Sequence, residues 1–178
     1  MTHPSFHIDG ADRPGRWLVT CDHATNRVPD WVGGGDLGLD PADMQRHIAF
    51  DIGAKGVTHK LAAALDSPAI LSDFSRLVID PNRGEDDPTL LMQLYDGTII
   101  PANRHADVAE RERRLDQLHR PYHTAYGDPV ARRDDTVLCA VPSFPPPPKG
   151  RSARPLAIGG LDAPDDRRPS PFMAAWHA

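Results

Sequence analysis

An α/β fold is what this sequence predicts, and three observations predict it. Four apolar runs have strand length: Trp17 to Cys21, Ser67 to Ser72, Arg76 to Asp80 and Thr136 to Val141. Two longer stretches between them carry apolar residues at three- and four-residue steps, as helices do. Polar, chemistry-bearing side chains gather just past two of the strand runs, where open α/β sheets keep their ligand crevice.

At 178 residues the chain fills one domain with a sizeable core, and is short for two. One domain over 1–178 is therefore expected. Its formal charge of −5 gives no basic field for a phosphate backbone, so nucleic acid is excluded as a partner. Cys21 and Cys139 both lie inside apolar runs and read as reduced core residues of a cytoplasmic protein. No apolar run approaches the roughly 18 to 20 residues that a membrane span needs. Proline is the unusual count: of 19, nine lie between Pro142 and Pro171, marking an irregular proline-rich tail from 142.

Residues 1 to 16 read as a polar lead-in arm. Trp17 to Cys21 reads as a buried strand, followed at once by Asp22, His23, Thr25, Asn26 and Arg27. His23 and Asn26 form an H-x-x-N step, and two donors so spaced on a tight loop reach one ion from the same side. Imidazole is the common zinc ligand and a neutral amide a poor one. A capped strand-to-turn junction with a hydrogen-bonded histidine explains the same spacing, since Asn and Asp are ordinary turn residues.

Val28 to Gly35 reads as a surface loop. Asp40-Pro41 supplies an N-cap and a first-turn proline for a helix whose stripe is Ile48, Ile52, Leu61 and Leu65, with Gly53 and Gly56 as interruptions. On that helix His47 and Asp51, four apart, would share a face. Ser67 to Ser72 and Arg76 to Asp80 follow as core strands, the second running into Pro81-Asn82-Arg83-Gly84. Arg83 offers a planar fork for a carboxylate, with Asn82 beside it as a neutral donor. Asp96-Gly97 between apolar residues predicts a β-hairpin. A long helix is expected from Asn103 through Leu115, Leu118, Tyr122 and Tyr126, with a charged outer face from Glu110 to Arg114 and a stop or kink at Pro121. His119 and His123, one turn apart around that proline, read as packing or substrate contacts rather than a metal pair. Thr136 to Val141 is a last buried strand. The chain carries no glycine-rich phosphate loop, Cys-x-x-Cys pair or Gly-x-Ser-x-Gly elbow, so phosphoryl and serine-nucleophile chemistry lack their usual signatures.

Taken together, CDHATNRVP, HIAFDIGA, SRLVIDPNR and LHRPYHTAY resemble, in order and separation, the N-formylglutamate amidohydrolase family, over about residues 17 to 168. Such enzymes are similar to the zinc carboxypeptidase and aspartoacylase group. The resemblance implies a central mixed sheet flanked by helices, and hydrolysis of an N-acyl amide on glutamate or a similar acidic amino acid. It makes His23 a zinc ligand and places Asn26 where relatives hold an acidic second ligand. Asp80-Pro81-Asn82-Arg83 resembles an Asp-x-Asn-Arg run that binds the substrate carboxylate. His47, Asp51 and Arg76 match further positions that line or support the pocket. In that chemistry zinc polarises the amide carbonyl and activates water, while a carboxylate manages protons.

Two departures qualify the resemblance. Where the family has His-Ser-Phe-Thr-Pro, supplying another zinc-ligand histidine, this chain has Pro142-Ser143-Phe144-Pro145-Pro146, and proline carries no donor in its place. Zinc binding is accordingly expected to be weak. The family's later carboxylate-bearing strand is not matched before Ala178, which reads as C-terminal truncation; an exposed sheet edge and self-association follow as expectations. Two readings stay open: a zinc-dependent amidohydrolase, impaired in this chain, or a non-catalytic binding module that retains an acidic-ligand pocket.

Overall fold

A computed structural model describes residues 3–131 and 135–143. Its sheet has four strands: β1 (Phe6–Asp9), β2 (Trp17–Cys21), β3 (Ala69–Ser72) and β6 (Val137–Ala140). The order is β1-β3-β2-β6; β2 runs parallel to both β3 and β6, and β1 pairs antiparallel with β3. This is the mixed sheet expected. A second, two-stranded hairpin joins β4 (Leu94–Tyr95) to β5 (Thr98–Ile99) around Asp96-Gly97, as the sequence predicts.

Strand alternation explains why β2 and β3 read as unbroken apolar runs. Leu18 and Ile70 face a core shared with Leu115, Leu118 and Tyr122, whereas Val19, Cys21, Ala69 and Leu71 face one with Ala54 and Ala62. Both faces of the sheet are covered, so both sets of side chains are apolar. The second face is covered by α1 (Ala54–Ala64), whose buried residues Ala54, Thr58 and Ala62 fall at four-residue steps. The first is covered by a segment comprising α2 (Pro101–Arg104), α3 (Val108–Arg114), a π turn (Leu115–His119) and α4 (Arg120–Ala131).

Several elements differ from expectation. The arm at 1–16 contributes β1, which the sheet's edge stabilises through pairing rather than through an apolar pattern. The helix expected from Asp40 starts only at Ala54. Asp40 instead accepts the Ala42 amide in a local turn leading to a short 3-10 turn at Asp43–Gln45. Gly53 then precedes α1 with φ of 86°, a left-handed conformation that ends backward propagation of the helix and that glycine adopts without strain. Ile52, placed on the apolar stripe, is exposed.

Residues 77–80 are buried and Arg76 partly so, but the segment 76–80 forms a turn and coil, not a strand. Two of their carbonyls are satisfied by side chains. Asn103 Nδ2 donates to Leu77 O at 2.7 Å, and Arg114 donates to Val78 O at 2.8 Å and to Asn103 Oδ1 at 2.7 Å. Arg114, assigned to a charged outer face, is therefore 1% exposed, paired with Glu110 on its own helix. A β-branched run with its backbone groups answered in this way gains nothing from a ladder.

The long helix is likewise divided, beginning afresh at Asp107, whose side chain caps the Glu110 amide. Pro121 neither ends it nor breaks it. Without an N–H, Pro121 cannot bond the carbonyl four residues back, and the chain enters it through the π turn, in which the Arg120 amide bonds Leu115 O. The last strand, β6, is half-exposed, with Leu138 57% accessible, because it is the outermost strand of the sheet among the described residues. Among those residues no helix is long and apolar enough to cross a membrane. The proline-rich tail lies outside them from residue 144 onward.

Candidate active site

The parallel strands β2, β3 and β6 end on the same side of the sheet, and the segments that leave those ends converge. Asp22 and His23 follow β2, Ser75 and Arg76 follow β3, and Ser143 follows β6. A crevice at the carboxyl ends of such strands is the usual ligand position.

His23 is the centre of a buried polar cluster. Its Nε2 lies 2.7 Å from Asp80 Oδ1, and its Nδ1 faces Asp51 Oδ1 at 3.6 Å. Arg76 donates to Asp80 Oδ2 at 2.9 Å, stands 3.8 Å from Asp51 and stacks 5.3 Å from the Tyr95 ring centroid. Asp51 in turn accepts the Ser143 amide at 2.7 Å, while its own amide bonds His23 O. The chain therefore ties the ends of β2 and β6 to one carboxylate. Asp80 Oδ1 also accepts the Asn82 amide at 2.9 Å, closing a tight turn over Pro81.

Charges this deep must be paired. Burial pushes the Asp80 carboxyl up, but His23 and Arg76 outweigh it and hold the group at about 2. Asp51 is lowered in the same way against its own burial, through His23 and the Ser143 amide. His23 is pulled down by burial and raised on balance by Asp51 and Asp80.

Arg83 sits at the lip of this cluster. Its side chain is 45% exposed and held only loosely, Nε 4.0 Å from Asp80 and Nη1 3.8 Å from Asp87. Asn82 beside it is exposed. Of the residues singled out from sequence, His23, Asp51 and Arg76 are thus brought together, with Asn82 and Arg83 adjoining them through Asp80. His47 is not. No helix carries it past Asp51; it lies beside Asp96 at 3.6 Å, on the hairpin. Asn26 turns its amide to Met44 O at 2.7 Å, a loop-fixing role. Asp80 itself is the site residue that sequence reading named only as part of a run. Its signal was the Asp-x-Asn turn, which makes the first carboxylate a cap.

A second polar cluster adjoins the first. Asp22 Oδ1 accepts the Tyr122 hydroxyl at 2.8 Å and lies 2.5 Å from the Tyr126 hydroxyl, and burial raises both phenols.

A family model for N-formylglutamate amidohydrolase matches residues 15–177. The chain belongs to the N-formylglutamate amidohydrolase family. Two solved structures share its fold. A gene product of Agrobacterium tumefaciens is 30% identical with a TM-score of 0.76, over 79% of this chain and 57% of that one. An N-formylglutamate amidohydrolase from Ralstonia eutropha JMP134 shares the fold at 21% identity and a TM-score of 0.58, over 80% of this chain and 58% of that one. The chain thus spans under three-fifths of either structure. No curated protein matches it significantly.

Resemblance to this family implies zinc, and the donor set among the described residues does not fit it. A catalytic zinc ordinarily takes three protein ligands. His23 has one nitrogen engaged by Asp80, leaving Nδ1, opposite Asp51, as its free donor. The Asn26 amide is turned to Met44, and Pro142 has no donor atom. Among the described residues no three His, Cys, Asp or Glu side chains are grouped to share an ion.

Proposed function

We propose that this chain binds an N-acyl acidic amino acid, N-formylglutamate or a close relative, and hydrolyses its amide. The observation that carries this reading is Arg83: a half-exposed, loosely paired guanidinium at the edge of a sealed His-Asp-Arg cluster. A planar fork of that kind takes a carboxylate in two parallel hydrogen bonds, and Asn82 adds a neutral donor next to it. Asp80 joins binding to chemistry, because the one carboxylate holds the Asn82 amide, Arg76 and His23. It fixes the imidazole by Nε2 and leaves Nδ1 facing Asp51, so the His23 ring is held in one orientation beside the Arg83 loop. The shortfall of donors around His23 favours a second reading, a binding module that keeps the carboxylate pocket without turnover. It also supports weak zinc binding in the unaltered chain.

One experiment separates these readings. Purified protein is incubated with N-formyl-L-glutamate and the release of formate and glutamate is followed by proton NMR. Release above the blank, lost in both His23→Ala and Arg83→Ala, is the expected result. Saturable binding without release establishes the binding module; neither binding nor release overturns both.

A further inference from the structure

Arg83 is too loosely held by its own side chain for its direction to be set there. The backbone that carries it is held from behind by the helical segment. His119 Nε2 donates to Arg83 O at 2.8 Å. One turn on lies the His123 ring, and the two imidazoles are 4.3 Å apart, centroid to centroid. Beyond Arg83, Arg120 makes a two-point pair with Glu85, at 3.0 and 2.7 Å. Two neighbouring side chains, at 119 and 120, thus hold the loop at 83 and 85.

His119 is the unusual member. It is 4% exposed, and its Nδ1 is buried with no hydrogen-bond partner among the described residues. An imidazole with one polar atom unanswered in the interior is a costly way to fill space, which an apolar side chain fills at no such cost. Its single bond goes to the carbonyl of the residue that meets the ligand.

We propose that His119, with His123 packed beside it, is a positioning residue: by fixing the Arg83 carbonyl it aims the Arg83 guanidinium at the ligand carboxylate. This rests on the reading of Arg83 as the carboxylate-binding group. The π turn at Leu115–His119 belongs to the same device, since it ends on His119 and sets the register in which that ring reaches the loop. Apolar replacement of His119 frees the loop and weakens binding through Arg83, whereas glutamine, whose Nε2 reaches about as far as that of histidine, keeps the bond.

The test is calorimetric titration of N-formyl-L-glutamate into the full chain and four variants: His119→Leu, His119→Gln, Arg83→Ala and the double His119→Leu/Arg83→Ala. Loss of one hydrogen bond's worth of positioning corresponds to about a tenfold weaker Kd for His119→Leu, with His119→Gln within about threefold of the unaltered chain. In the Arg83→Ala background His119→Leu is expected to add less than about twofold, because nothing remains to be aimed. A merely structural histidine would weaken both backgrounds alike, and that result overturns the proposal. Unaltered affinity in His119→Leu, with affinity lost in Arg83→Ala, overturns it too and leaves Arg83 in place. No loss in Arg83→Ala, or no binding by the unaltered chain, overturns the underlying reading and the proposal together. Should His119→Leu fail to fold, His119→Asn replaces it: its amide is too short to reach Arg83 O, so affinity equal to that of His119→Gln is the overturning result.

Discussion

His23 Nε2 and Asp80 Oδ1 lie 2.7 Å apart across 57 residues of sequence, with both side chains buried. The pair fastens the end of the central strand to the loop that presents Arg83, so the ring and the proposed ligand-binding group cannot shift independently. Removing the carboxylate strands three partners at once, His23, Arg76 and the Asn82 amide. Asp80→Ala is expected to destabilise the protein by about 3 to 5 kcal/mol, the usual result of breaking a buried ion pair on one side. Urea unfolding monitored by tryptophan fluorescence measures this. A variant within about 1 kcal/mol of the parent would show that the pair contributes little.

The same cluster predicts a pH window. Asp80 is depressed from 3.8 to about 2, so its contribution is present above 3.8 and lost as pH falls towards 2. A shift of that size corresponds to about 2 kcal/mol. His23 is raised above 6.5, so its contribution is full below 6.5 and lost as pH rises through the raised value. The cluster is therefore most stabilising between pH 3.8 and 6.5. His123, lowered chiefly by burial, has the opposite sign to His23 and adds stability above 6.5. Comparing the parent with His23→Gln over pH 3 to 9 isolates the His23 share. The stability difference should shrink towards alkaline pH, and a difference that grows there would contradict the raised value.

Arg83→Lys tests the fork rather than the charge. A lysine ammonium restores one positive group but not two parallel donors, and N-formyl-L-glutamate affinity should fall about tenfold or more. Equal affinity in the two proteins would remove Arg83 from the site.

Pro142 stands immediately before Ser143, whose amide already reaches Asp51. Position 142 is thus next to the cluster, and Pro142→His should raise zinc retention after dialysis against excess metal and buffer washing. Metal analysis should find little zinc in the parent and more in the variant, with the gain abolished by His23→Ala. Stoichiometric zinc in the parent, lost on His23→Ala, would show instead that other donors complete the site.

β2 and β3 were legible in the sequence because both faces of the sheet are covered and the runs are apolar throughout. His23 was legible as a candidate because it directly follows a strand end, whereas Asp51 and Arg76 were singled out through the family resemblance, Asp51 also through a helical spacing that does not form. The segment 76–80 misled for a physical reason: its composition is that of a strand, while what decides its backbone is Arg114 and Asn103, distant in sequence and polar in type. His47 misled for a similar one. The Asp40-Pro41 signal it relied on is consumed by a local turn, and without a helix the four-residue spacing to Asp51 has no face to share. β1 has no pattern of its own to read, because an edge strand with exposed residues draws its stability from its neighbour.

The anchoring of Leu77 and Val78 by Asn103 and Arg114 also bears on the order in which the molecule assembles. Those carbonyls have no ladder to join, so until the later helical segment docks they are answered only by water. The sheet core at β2 and β3 needs no such partner and is free to form earlier. The loop bearing Asp80 and Arg83 is thereby placed among the last parts to settle during refolding. Pulse-labelled amide exchange should find β2 and β3 protected while residues 77 to 83 still exchange, and simultaneous protection of both would refute this sequence of events.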